Sequence, residues 1–177
     1  MVIPTFEFLG NEELNLLFKQ QDLVEAPLIT EVDYTQYLEK VLGKENFYRC
    51  DKGILLAGKR DHKFMVYEYD LRIFRIENPR SKEDILAEYE YHGLRIPDIY
   101  TMTSFRQKHG ISDGVFLFGP FNHKCTGGYL LWNPPAFPCL YRDPLLGYAM
   151  IWKYLPLTNI PMYCLGEKSI ISVLTTQ

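Results

Sequence analysis

The sequence predicts an α+β fold: N-terminal helices, a mainly antiparallel β-sheet, two further helices, and a proline-rich, looped C-terminal half. Three observations carry this expectation. Tyr34, Tyr37, Leu38, Val41 and Leu42 fall at i, i+3, i+4, i+7 and i+8, the apolar stripe of a helix. From Phe47 the apolar period changes from 3.6 to 2, and no helix separates the strands this implies, so they form an antiparallel meander over 47–76. Seven of the 11 prolines lie between Pro120 and Pro161, which argues for long ordered loops wrapped on the sheet.

Each element has its own local signals. A short helix over 11–21 has Asn11 as N-cap, acids Glu12 and Glu13 at its positive end, and Leu14, Leu17 and Phe18 on one side. In the second helix Asp33 caps the start and Gly43 ends it. The meander comprises Phe47 to Cys50, a turn at Asp51-Lys52-Gly53, a strand from Ile54 to Ala57, and a long strand from Lys63 to Ile76. Along that long strand Met65, Tyr67, Tyr69, Leu71 and Ile73 alternate with polar residues. The apolar positions then switch parity at Phe74 and Ile76, which predicts a bulge or bend near Ile73–Phe74.

Residues 78–92 return to helix, with Ser81 and Asp84 spaced as a capping box and Gly93 at the end. A further helix runs from about Ile99 to His109, before Gly110. Gly114 to Phe118 and Thr126 to Trp132 look like buried strands, while 145–154 fits a helix or a strand equally. Met162 to Leu165 and Ser169 to Leu174, split by Gly166-Glu167-Lys168, suggest a terminal hairpin. No repeat or domain boundary interrupts the chain, so residues 1–177 form a single domain.

Composition narrows the class. Twenty-six aromatic residues in 177 exclude intrinsic disorder, since each ring carries apolar area that favours burial. The formal charge of -3 does not suit a general nucleic-acid binder, which needs a basic surface to displace counterions. That charge is unevenly spread. Residues 1–45 hold nine acids against three bases, and the remainder holds 13 acids against 16 bases. No signal-like N-terminus and no apolar run of membrane-spanning length is present, and Cys50, Cys125, Cys139 and Cys164 form no CxxC pair. A cytoplasmic protein with reduced thiols is the expectation.

The chemistry-bearing motifs are few. The phosphate loop, GxGxxG, HExxH, GxSxG and EF-hand patterns are all absent. His123-Lys124-Cys125 with the distant Cys139 falls short of a tetrahedral zinc set, so neither a metal nor a cofactor is expected. Cys125 and His123 are two residues apart, and on a strand their side chains would share a face as nucleophile and base. His109 fits a helix C-cap, and Arg106 with Lys108 fits ordinary solvated charge.

Missing catalytic motifs and an acidic front together favour a binding protein. The expectation is a small cytosolic inhibitor, such as an immunity protein that neutralises a toxin or nuclease through an acidic helical surface bearing Glu31, Asp33 and Glu39. Its partner would be another protein with a basic surface, with neither a membrane nor nucleic acid bound directly. The plainer reading of those acids is a solvated helical face. The alternatives are a thiol-dependent enzyme using Cys125 and His123, and a viral or secretion-system assembly component with exposed aromatics at its contacts.

Overall fold

Strand alternation sets up the architecture, which in the computed structural model is, among the described residues, a seven-stranded mixed sheet with three short helices. The described residues are 16, 23, 27–51, 53–54, 65–77, 81–119, 136–154 and 162–174. In chain order the elements are β1 (Leu28–Asp33), α1 (Leu38–Val41), β2 (Arg49–Cys50), β3 (Val66–Ile76), α2 (Lys82–Tyr91), α3 (Ile99–Lys108), β4 (Phe116–Phe118), β5 (Ala136–Asp143), β6 (Gly147–Tyr154) and β7 (Met162–Leu174). The sheet order is β1-β3-β7-β4-β5-β6-β2. Neighbours are antiparallel except β4 with β7 and β2 with β6, which run parallel.

The long strand β3 buries both its faces in its second half. Tyr69, Leu71 and Ile73 point to a core shared with Leu28, Val32, Ile99, Met102 and Phe105, which come from β1 and α3. Phe74 and Ile76 point the other way, to a second core with Ile85 and Tyr89 of α2. Thus α3 covers one face and α2 the other, a helix–sheet–helix sandwich. The parity switch at Phe74 therefore marks where α2 begins to cover the opposite face. It is not the expected bulge, because Ile73 and Phe74 keep regular register with Leu165 and Cys164. The register shifts lie opposite, where Ile171 and Lys168 of β7 are skipped between Glu68 and Leu71.

The two longer helices form where their end signals are placed. Ser81 Oγ accepts from Asp84 N at 3.2 Å and Asp84 Oδ2 accepts from Ser81 N at 3.1 Å, a closed capping box at the start of α2. Gly93, at φ 66°, ends the helix in the left-handed region. Asp98 caps α3, and His109 is its C-cap residue. The histidine's Nε2 lies 3.1 Å from Thr30 Oγ1, which ties the helix end to β1.

The N-terminal helices and the antiparallel meander do not match the structure. Residues 28–33 alternate in burial and pair with β3 as an edge strand. Asp33 does not cap a helix: its Oδ1 accepts from Thr35 N at 2.9 Å and turns the chain. The helix shrinks to Leu38–Val41, leaving Tyr37 outside it. The helix expected over 11–21 lies outside the described residues apart from Leu16, which is helical.

The meander over 47–76 fails because the turn signal at Asp51 does not return the chain to β3. Gly53 does adopt φ 85°, but β2 sits at the far edge of the sheet, parallel to β6. Asp51 holds it there, donating N–H to Met150 O at 2.9 Å and accepting at Oδ2 from Trp152 N at 3.1 Å.

The proline-rich half also departs from expectation. Residues 136–154 form a hairpin, β5 with β6, whose turn is fixed by Asp143 Oδ1 accepting from Leu145 N at 2.8 Å and Leu146 N at 3.0 Å. Pro138 is tolerated in β5 because β4 pairs only with Cys139, Leu140 and Tyr141, one residue further on. The terminal hairpin is one strand, β7. Gly166-Glu167-Lys168 continues through it, with Gly166 opposite Arg72 and Glu167 buried. Among the described residues no helix is long and apolar enough to cross a membrane.

Gly166 is required by contact. A Cβ there would lie 2.8 Å from Leu94 Cδ1 and 2.9 Å from Leu94 Cβ. Gly166→Ala should therefore destabilise the fold by about 2 kcal/mol through overpacking, read as a lowered urea midpoint with unchanged slope.

Candidate functional site

Where β1 ends and α3 begins, five polar side chains meet inside the molecule. Asp98 is 1% exposed and lies at the N-cap of α3 because Pro97 precedes it and the first-turn N–H groups need an acceptor. Its Oδ1 accepts from Thr101 N at 2.9 Å and its Oδ2 from Tyr34 OH at 2.8 Å. The Thr101 hydroxyl is 3.0 Å from Asp98 Oδ1 and 3.1 Å from Glu167 Oε1, so its single proton serves one carboxyl at a time. Tyr69 OH completes the group, 3.4 Å from Tyr34 OH. Burial, and then the negative charge of Asp98, raise the Tyr34 pKa far beyond the ordinary tyrosine value, so the phenol is a permanent donor.

This group is closed to solvent, and its chemistry is structural. It fixes the surface above it. Tyr34 packs on Tyr100 with ring centroids 4.9 Å apart, and Tyr100 OH donates to Gln36 O at 2.7 Å, which anchors the turn 34–37. Tyr37 projects from that turn, 76% exposed. The Tyr100 pKa is raised by partial burial first and then by the negative charges of Asp98, Glu39 and Asp33. Burial works to raise the Asp33 pKa, but hydrogen bonds from Thr35 and Gln36 outweigh it and hold the group below its ordinary value.

Glu31 lies elsewhere. Leu28, Thr30 and Val32 face the α3 core, so Glu31 points to the opposite face of the sheet. There it is the Cα partner of Glu68 on β3, two like charges directly opposite on adjacent strands. Ser172 Oγ, on β7, lies 3.5 Å from Glu68 Oε1. Neither glutamate has a cationic partner among the described residues. By the same alternation Asp33 shares Glu31's face of β1, at the point where the chain turns toward Tyr37 and Glu39. The surface is not helical: strand, turn and a four-residue helix carry it. Glu68 escaped the sequence reading because its place opposite Glu31 depends on a pairing between strands 37 residues apart. Its only local signal was alternation along β3.

On the same face as Glu68, toward α2, a cleft of about 380 Å³ is lined by Leu23, Arg72, His92, Leu94 and Lys168. Its buried basic side chains already face acids. Arg72 Nε donates to Asp70 Oδ1 at 2.8 Å and its Nη2 to Asp70 Oδ2 at 2.9 Å, while His92 Nε2 lies 3.5 Å from Glu88 Oε2.

Cys125 and His123 lie outside the described residues. The other three thiols are poor nucleophiles: burial pushes Cys50 up to about 11 and raises Cys139 and Cys164 further. Among the described residues no group of three or more His, Cys, Asp or Glu could hold a metal ion. Arg106, read as solvated charge, stacks on Tyr148 at 4.7 Å, and its neighbour Phe105 is buried. Comparison with protein-family models, curated proteins and solved structures gives no match.

Two outcomes follow from this geometry. Tyr34→Phe should cost about 1.5 kcal/mol, and Asp98→Ala about 3 kcal/mol because three donors lose their acceptor, with the double variant less than additive in urea unfolding. Alkylation of Cys50, followed by peptide mass spectrometry, should be slow at pH 8 and rise about tenfold per pH unit toward pH 11, since a raised pKa leaves about one thiol in a thousand ionised at pH 8.

Proposed function

We propose that the protein is a small inhibitor-type binding protein, which covers a basic surface of another protein with the acidic end of the β1–β3–β7 ribbon. The observation that carries this reading is the opposition of Glu31 and Glu68. Like charges directly opposite on paired strands cost stability, on the order of 0.5 kcal/mol, and any neutral residue at either position would relieve it. A lysine or arginine from a partner turns the same repulsion into attraction. The pair thus fits a complex in which that repulsion becomes attraction.

The rest of the surface supports the same chemistry. Tyr37 stands exposed beside Glu39, and tyrosines presented this way are frequent anchors of protein interfaces. Nucleic acid and anionic lipid would be repelled by this face, whereas a protein that handles nucleic acid must itself be cationic there. A nuclease or a toxin of that type is the class of partner that fits. Complementary charge would also accelerate the encounter by orders of magnitude at low salt.

The test uses one substitution with two readouts of opposite sign. Glu68→Lys should raise the melting temperature slightly, because it places a cation opposite Glu31, and should abolish binding. Capture from lysate of the source cells, with mass spectrometric identification, should return a basic protein on the wild type. Retention should fall at least about tenfold on Glu68→Lys and on Glu31→Lys, and should weaken with added salt. An identical captured set on wild type and both variants would remove the reading.

A further inference from the structure

Among the described residues, one strand carries a run of exposed aliphatic side chains. Ile170, Ile171, Val173 and Leu174 are 42%, 48%, 45% and 39% exposed, four large aliphatic residues within five positions of β7. On one side this stretch pairs with β3. On its other side β4 reaches only Tyr163 and Cys164, and Arg95 bridges only Glu167. From Lys168 onward that edge has no strand partner among the described residues. The contrast with the outer edge of the ribbon is informative. There β1 carries Glu31 and Asp33, charges of the kind that keep strand edges from pairing with other chains. Between Ser169 and Leu174 β7 has no charge and no proline.

We propose that Ser169–Leu174 pairs antiparallel with the same segment of a second copy of this chain, forming a twofold dimer through a continuous sheet. A second copy fits this edge better than the basic partner inferred above, because the edge offers no acid and begins at Lys168. The residue pattern is self-complementary. Ile170 and Val173 both lie on the α3 side of the ribbon, as their register partners Tyr69 and Tyr67 show. A twofold axis perpendicular to the sheet, between Ile171 and Ser172, sets Ile170 of each copy opposite Val173 of the other. The same register sets Ser169 opposite Leu174 on the other face. The two Lys168 side chains fall at opposite ends of the pairing, so no like charges meet. Backbone groups on the open side gain partners, and four aliphatic side chains per chain leave water.

The inference does not rest on the acidic surface, and its test leaves Glu31 and Glu68 in place. Sedimentation velocity of the full chain should show a dimer. Ile170→Lys and Val173→Lys, at solvated positions that tolerate lysine, should raise the dimer dissociation constant by about 30-fold or more with unchanged circular dichroism. Ile170→Cys combined with Val173→Cys should form a covalent dimer under mild oxidation through disulfides mapped to those positions. A wild type that stays monomeric, a dimer that persists in both lysine variants, or no disulfide between 170 and 173 of different chains would each overturn the proposal.

Discussion

At the first turn of α3, one buried carboxyl gathers the parts of the molecule that the chain keeps far apart. Asp98 caps its own helix through Thr101 N and holds Tyr34 from the end of β1. Through Tyr34 and Thr101 it reaches Tyr69 of β3 and Glu167 of β7. A polar group at this depth is favourable only while its partners are present, because each orphaned donor would forfeit its hydration with nothing in return. The group therefore demands one arrangement of β1, β3, β7 and α3, where apolar packing alone would accept several. Register is the consequence that matters most. A slip of one residue between β1 and β3 would pull Tyr34 from Asp98 and turn Glu31 toward the core. The register that sets positions 31 and 68 opposite each other is thus fixed by a buried network on the other face of the sheet.

What could be read from the residues was what neighbouring residues decide. The helices α2 and α3 stand where Ser81, Asp84, Gly93 and Gly110 place them, since caps and left-handed glycines act within a turn of themselves. The alternation from Tyr67 to Ile73 likewise marks a real strand. The errors share a different cause. Tyr34, Leu38, Val41 and Leu42 are all buried, as a helical stripe requires, but an edge strand, a turn and one short helix bury them equally well. Asp33 was recognised as a capping residue, and the same side-chain acceptor serves a turn. Pro138 and Pro144 suggested loops, but one falls where β4 no longer needs a donor and the other lies in the hairpin turn. In each case the deciding partner lies elsewhere in the chain.

The candidate surface was legible in part for the same reason. Glu31, Asp33 and Glu39 stand out as acids in an acidic segment, but sequence proximity does not say that the first two share one face of an edge strand while the third lies beyond a turn. Glu68 carried no mark of its own. Its meaning comes from the Cα pairing with Glu31, which is tertiary information. The spacing of Tyr37 places it on a core stripe, yet it is the exposed tip of a turn, because the helix starts one residue later.

The distribution of cover over the sheet explains why unusual features collect at one end. Helix α2 packs on Phe74 and Ile76, at the C-terminal end of β3, and among the described residues no helix packs on the Val66–Asp70 end of that face. Strand β4 is three residues long and abandons β7 after Cys164. The β1–β3–β7 ribbon consequently runs past its supports. It presents one face with opposed glutamates and one edge with uncovered aliphatic residues. Each is locally unfavourable: the first by repulsion, the second by exposing apolar area and unpaired backbone. A natural sequence that keeps its helix caps, its hairpin turn and its buried carboxyl well satisfied has the means to correct both with single substitutions. Under the two proposals made above, both local inconsistencies would be relieved by a second chain, the repulsion by a cation and the apolar edge by a paired strand.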